Sequence, residues 1–108
     1  MDTNPVEFTV SDTLTDDRLV VSVSGEIDLS TATELQLAVD ALSPFQRPLA
    51  LDLSGVGFVD STGIRALLAI NNRAMETVGQ PLILMRATDA TRRLIQLTGL
   101  DRILVIED

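Results

Sequence analysis

Apolar and polar positions along the chain change period from one segment to the next. In "RLVVSVSGEIDL", Leu19, Val21 and Val23 alternate with Val20, Ser22 and Ser24. That two-residue period predicts a half-buried strand ending at Gly25. Phe8 to Val10 supplies a short strand before it, and the polar "SDTLTDD" between them reads as a hairpin loop. Ser30 or Thr31 can cap a helix running to about Leu42, with Leu35, Ala38, Val39 and Leu42 as its buried stripe. Pro44 and Pro48 stop that helix. "LALDL", Leu49 to Leu53, suits a central strand, and "SGVGF" reads as a Gly-bearing turn. From about Ser61 to Val78 the period becomes helical, with Ile64, Leu67, Leu68, Met75 and Val78 on the apolar side. Arg65, Asn72, Arg73 and Glu76 occupy the wetter side, and Gly79 with Pro81 ends the helix. "LILM" (Leu82 to Met85) is a further strand. "TDATRRLIQLTGL" is a third helix carrying Ala90, Leu94, Ile95 and Leu97, and "ILVIED" is a last short strand.

The predicted order is β-β-α-β-α-β-α-β. Alternating strands and helices imply parallel strands joined by right-handed crossovers, and the first hairpin adds an antiparallel member. The fold class expected is α/β: a small mixed β-sheet with helices packed largely on one side. One domain over residues 1–108, with its core from about 6 to 106, fits the length.

Composition narrows the chemistry. Hydrophobic residues make up 45% of the chain and aromatic ones 3%, so the core must be aliphatic. The formal net charge is -8 and all eight cationic residues are Arg. Such a chain has no basic patch for direct nucleic-acid binding or for an anionic membrane. Without Cys or His there is no disulfide framework, thiolate chemistry, usual zinc site or Ser-His-Asp triad. Without Lys there is no GK[ST] phosphate loop and no Schiff base. No metal and no cofactor is expected. "MDTNPVEFTV" carries no signal-peptide pattern, and no apolar run approaches the ~20 residues of a membrane span. A cytoplasmic location is the expectation.

Two short motifs carry the remaining chemistry. Asp60-Ser61-Thr62-Gly63 lies where a strand delivers the chain to a helix. Spacing alone favours helix capping, since Asp, Ser and Thr oxygens accept the free N–H groups of a first turn. Only one side chain is needed for that, so Ser61 can also stand exposed where a phosphate would meet the positive end of the helix. In "GEIDLST", Asp28, Ser30 and Thr31 lie on a βα loop, again with capping as the simpler reading. Both loops fall at the same edge of a parallel sheet, where α/β sites usually form. Asp52 at a strand end lacks the acidic pair and Lys of a phospho-acceptor aspartate, and a hydrogen bond to a neighbouring loop is the simpler role. Thr91 to Arg93 reads as a solvated helix face.

"GEIDLSTA", "LALDLSGVGFVDSTGIRALL" with its D-S-T-G box, and "LTGLDRIL" together resemble the STAS domain, and within it the bacterial anti-sigma factor antagonists. The resemblance spans about Val6 to Ile106. It implies partner switching. The unmodified protein binds an anti-sigma factor that is also a GHKL-type serine kinase, and so releases the sigma factor. Phosphorylation of the box serine ends that binding, and a PP2C-type phosphatase restores it. The box serine maps onto Ser61, with Thr62 as the alternative acceptor. The partner contact maps onto Asp28, Thr31, Asp60, Thr62, Gly63 and Arg65. A non-switching STAS adaptor in a lipid-transport or stress-signalling assembly is the alternative. An enzyme with Ser61 as nucleophile lacks a His or Lys base, so no catalytic residue and no enzymatic activity are expected.

Overall fold

Strand β2 (Leu19–Ile27) shows the alternation read from the sequence: Leu19, Val21, Val23, Gly25 and Ile27 are buried, and the residues between them are half-buried or exposed. The computed structural model describes residues 7–108, so the expected start of the core at Val6 lies just outside the described residues. The other elements are β1 (Thr9–Leu14), α1 (Ala32–Asp40), β3 (Leu49–Val59), α2 (Ser61–Val78), β4 (Ile83–Met85), α3 (Asp89–Thr98) and β5 (Val105–Glu107), with a short 3₁₀ turn at Leu100–Arg102. The five strands lie in the order β1-β2-β3-β4-β5. β1 is antiparallel to β2, and every later pair is parallel. Each crossover steps the same way across the sheet, so right-handed connections set all three helices on one face. Between helices and sheet lies an aliphatic core that includes Val21, Ile27, Leu35, Leu51, Leu67, Leu84 and Ile95.

The order of elements is as predicted, and several boundaries differ. β1 continues from Thr9 to Leu14 through residues read as loop, because an edge strand exposed on both faces beyond Val10 tolerates Ser11, Asp12 and Thr13. β2 runs on through Gly25 to Ile27, and α1 ends at Asp40 rather than near Leu42. The main correction is "SGVGF", which is strand and not turn. β3 carries two residues more than β2 does between the pairs Ser22–Asp52 and Glu26–Phe58. These bulges stretch the buried spacing to Leu49, Leu51, Leu53, Val56 and Val59, and hide the alternation. Gly55 pairs with Ser24, and a Cβ on Gly55 would lie 2.8 Å from the Cβ of Ser24. The glycine therefore serves close strand approach. On α2, Met75 is exposed and Asn71 takes a buried position, its Oδ1 accepting from the Leu82 N–H at 2.9 Å. On α3, Leu97 is exposed and Thr91 is buried.

Two arginines cross the helix-free face. Arg18, the residue before β2, reaches across to β5, donating to both carboxylate oxygens of Glu107 at 2.9 and 3.1 Å. Arg86 pairs with Asp52, whose Oδ1 also accepts from the Ser54 N–H at 3.0 Å. The Arg86 guanidinium, against an opposing cost of burial, lowers the Asp52 carboxyl to about 2. Asp52 is thus a buried brace between β3 and the β4–α3 connection.

Candidate functional site

α2 begins immediately after β3. Asp60 is extended, and its Oδ1 accepts from the Gly63 N–H at 2.9 Å, which makes it the N-cap. The sequence left open which side chain caps this helix. The carboxylate does so, and neither hydroxyl is consumed. Ser61 is the first helical residue and is exposed, whereas Thr62 is half-buried. Among the described residues the N–H groups of Ser61 and Thr62 have no protein acceptor, so the positive end of α2 remains open beside the Ser61 hydroxyl.

The β2–α1 loop is tied internally. Asp28 Oδ1 accepts from the Ser30 N–H at 2.9 Å and the Ser30 hydroxyl at 2.7 Å. The Ser30 hydroxyl is the main cause holding the Asp28 carboxyl below the usual range; partial burial opposes it and Thr31 assists. Thr31 stands at the N-cap position of α1 but does not cap it. Its hydroxyl donates to the Glu26 carbonyl at 2.6 Å and accepts from the Asp28 N–H at 3.0 Å. The capping expected of Ser30 or Thr31 is replaced by bonds within the loop, which fix the Asp28 carboxylate at the surface.

One backbone contact joins the two loops. The Asp60 N–H donates to the Ile27 carbonyl at 3.2 Å. Gly63 is buried against that same carbonyl. A Cβ on Gly63 would lie 2.8 Å from Val59 Cγ1 and 3.0 Å from Ile27 Cγ2, and nearer still to the Ile27 oxygen. Gly63 thus positions the α2 terminus and presents no side chain to a partner. Arg65 is exposed one helical turn beyond Ser61. Thr31 and Gly63 face inward, and Asp28 and Asp60 come together on the surface.

Asp28 and Asp60 line a shallow depression of about 480 Å³ with Leu29, Ser30 and Phe58. Leu29 is 79% exposed and Phe58 51% exposed, and neither was singled out from the sequence. The available signal was the break in apolar spacing before Val59, where the second bulge turns Phe58 away from the core. Among the described residues no acidic group is clustered to hold a metal ion, and no helix is long and apolar enough to cross a membrane.

A family model described as "Mlab, STAS domain" matches residues 10–106. The chain belongs to the STAS domain family. Similar proteins include the anti-sigma-F factor antagonist RsfB of Mycobacterium tuberculosis, 36% identical over 84 residues, covering 77% of this chain and 67% of the relative. The anti-sigma-B factor antagonist of Staphylococcus aureus is 28% identical over 102 residues, covering 90% and 91%. The crystal structure of an anti-sigma factor antagonist from Mycobacterium paratuberculosis superposes with a TM-score of 0.81 at 36% identity, covering 94% of this chain and 86% of that one. In this STAS domain the D-S-T-G box lies at the C-terminal end of β3, on the same sheet edge as the GEIDLST loop.

Proposed function

We propose that this STAS domain is an anti-sigma factor antagonist that switches partners through Ser61. Its unmodified form binds an anti-sigma factor with GHKL-type serine kinase activity and frees the sigma factor. Transfer of the ATP γ-phosphoryl group to the Ser61 oxygen, with loss of the hydroxyl proton and release of ADP, ends the complex. A PP2C-type phosphatase hydrolyses the phosphoserine. The reading rests above all on one observation: Asp60 caps α2, so the exposed Ser61 hydroxyl has no structural task. The names of relatives at 36% and 28% identity support the same reading.

The charge balance gives the switch its direction. A phosphoserine adds about -1.5 to -2 charges at neutral pH. In the free protein it stays solvated and gains about 0.3–1 kcal/mol from the open end of α2. In a complex it must be desolvated next to Asp60 and near Asp28, and like charges at an interface cost on the order of several kcal/mol. The interface penalty exceeds the helix-end gain, so the fold persists and the complex dissociates. Incubation with ATP and each GHKL-type anti-sigma kinase of the host genome, followed by mass spectrometry, tests the acceptor. A single phosphate on Ser61, absent in Ser61→Ala, is expected. A phosphate on Thr62 would move the switch by one residue. No phosphate with any kinase would favour the adaptor reading.

A further inference from the structure

Resting on that reading, we propose that Leu29 and Phe58 are the apolar anchors of the docking surface. We propose further that their occupant is a segment of the anti-sigma factor in which an apolar side chain is flanked by Arg or Lys. Single exposed hydrophobic residues are ordinary on a protein surface. Here two large ones line one depression, and the rest of its lining is Asp28, Ser30 and Asp60. An apolar centre within a polar, charged border is the usual anatomy of a binding patch. The supporting geometry is built in. The second bulge of β3 falls between the pairs Gly25–Val56 and Glu26–Phe58, which sends Val59 into the core and leaves Phe58 outside. Bulges are a common device for re-aiming a side chain beside a site. Leu29 is held by the hydrogen-bonded Asp28–Ser30–Thr31 loop that encloses it. A rigid loop loses little entropy when its apolar tip is covered.

Charge selects the occupant. The depression has acidic side chains and no arginine in its lining, within a chain of net charge -8. A second copy packed about a two-fold axis would set Asp28 and Asp60 against the same acidic patch. An anionic lipid surface would be repelled as well. A basic, apolar protein segment satisfies both the carboxylates and the two hydrophobic side chains. Ser61 directly follows Asp60 but is not in the depression's lining, so a phosphate there adds bulk and a desolvated dianion at the edge of the seated segment, whose flanking cations are already paired with Asp28 and Asp60.

Leu29→Ala, Phe58→Ala and the double variant should be titrated calorimetrically against the kinase that phosphorylates Ser61. Both side chains are exposed, so all three variants should fold, as circular dichroism melting checks. Each single change should weaken binding by about tenfold or more and the double by about a hundredfold, the range of central apolar anchors. Phosphorylation of Ser61 should still weaken what binding remains. Double-variant affinity within about threefold of a tight, phosphorylation-sensitive wild type would overturn the anchors and leave the switch standing. Failure of the wild type to bind any anti-sigma kinase would overturn both. A wild-type dimer in sedimentation velocity, or sedimentation with phosphatidylglycerol vesicles, abolished in the double variant, would replace the proposed occupant with a second copy or a lipid surface.

Discussion

An alanine at position 63 would push its Cβ toward the Ile27 carbonyl oxygen, with Val59 Cγ1 2.8 Å away on another side. Helix propensity favours the change, since Gly→Ala inside a helix gains about 0.8–1 kcal/mol. Packing opposes it. The nearest of these contacts cannot be relieved by a flexible side-chain end, because it is to a backbone atom. α2 must lift from β2, which strains a packed core at about 1–3 kcal/mol. Lifting α2 also stretches the hydrogen bond from the Asp60 N–H to Ile27, already 3.2 Å long. Losing that bond costs about 1 kcal/mol more. Packing wins, and the net destabilisation expected is about 1–3 kcal/mol, a fall in melting temperature on the order of 10 °C for a domain of this size. Urea and thermal denaturation of Gly63→Ala measure this. The variant should also bind the anti-sigma partner more weakly, because the Asp28 and Asp60 loops are joined through the Ile27 carbonyl. A melting temperature equal to or above that of the wild type would show that propensity decides, and would refute the role given to Gly63.

Asp60→Asn should keep the α2 cap, since Asn caps as well as Asp, and leave stability within about 0.5 kcal/mol; partner affinity should fall with the lost charge, measured by calorimetry beside a urea titration. Arg86→Met should lower stability at pH 7, because it leaves the nearly buried Asp52 carboxylate without its guanidinium partner. The folded Asp52 pKa is about 2, below its unfolded value, so the wild type's extra stability is full above the unfolded value and is lost as pH falls toward 2. The two proteins should therefore converge in acid, as urea titrations from pH 7 to 2 would show. With Ser61 phosphorylated, Arg65 one turn away should lower the second phosphate pKa. An exposed i,i+4 pair is worth about 0.3–0.5 kcal/mol, so Arg65→Gln should raise that pKa by a few tenths of a unit in a phosphorus NMR titration.

The elements with one unbroken period were legible in the sequence. β2 alternates over Leu19 to Val23, and α2 carries Ile64 and Leu67 at helical spacing between a clear start and the Gly79 stop. β3 was only half legible. Its bulges break the alternation, and Gly55 and Gly57 look like turn residues until the neighbouring strand explains Gly55. Polar edge positions such as Ser11 and Asp12 carry no strand signal of their own, because pairing with β2 decides their conformation. At the site, the D-S-T-G box marked where β3 hands the chain to α2, but one-dimensional spacing could not say which oxygen takes the cap. Three-dimensional placement gives that task to Asp60 and turns Thr31 back into its own loop. Leu29 and Phe58 escaped notice because one fell in a loop and the other in the SGVGF segment read as a turn, and only three-dimensional exposure on a shared depression brings them together.

The central idea is that one phosphate on Ser61 decides whether the acidic patch is available to an anti-sigma factor. The most direct measurement is the affinity of the unmodified and Ser61-phosphorylated protein for the same anti-sigma kinase, in the same buffer, with melting curves of both. Phosphorylation should weaken binding by about a hundredfold or more, equivalent to nearly 3 kcal/mol, while the melting temperature stays within a few degrees. Equal affinity of the two forms would contradict the switch, and loss of binding accompanied by unfolding would show that the phosphate acts on the fold rather than on the interface.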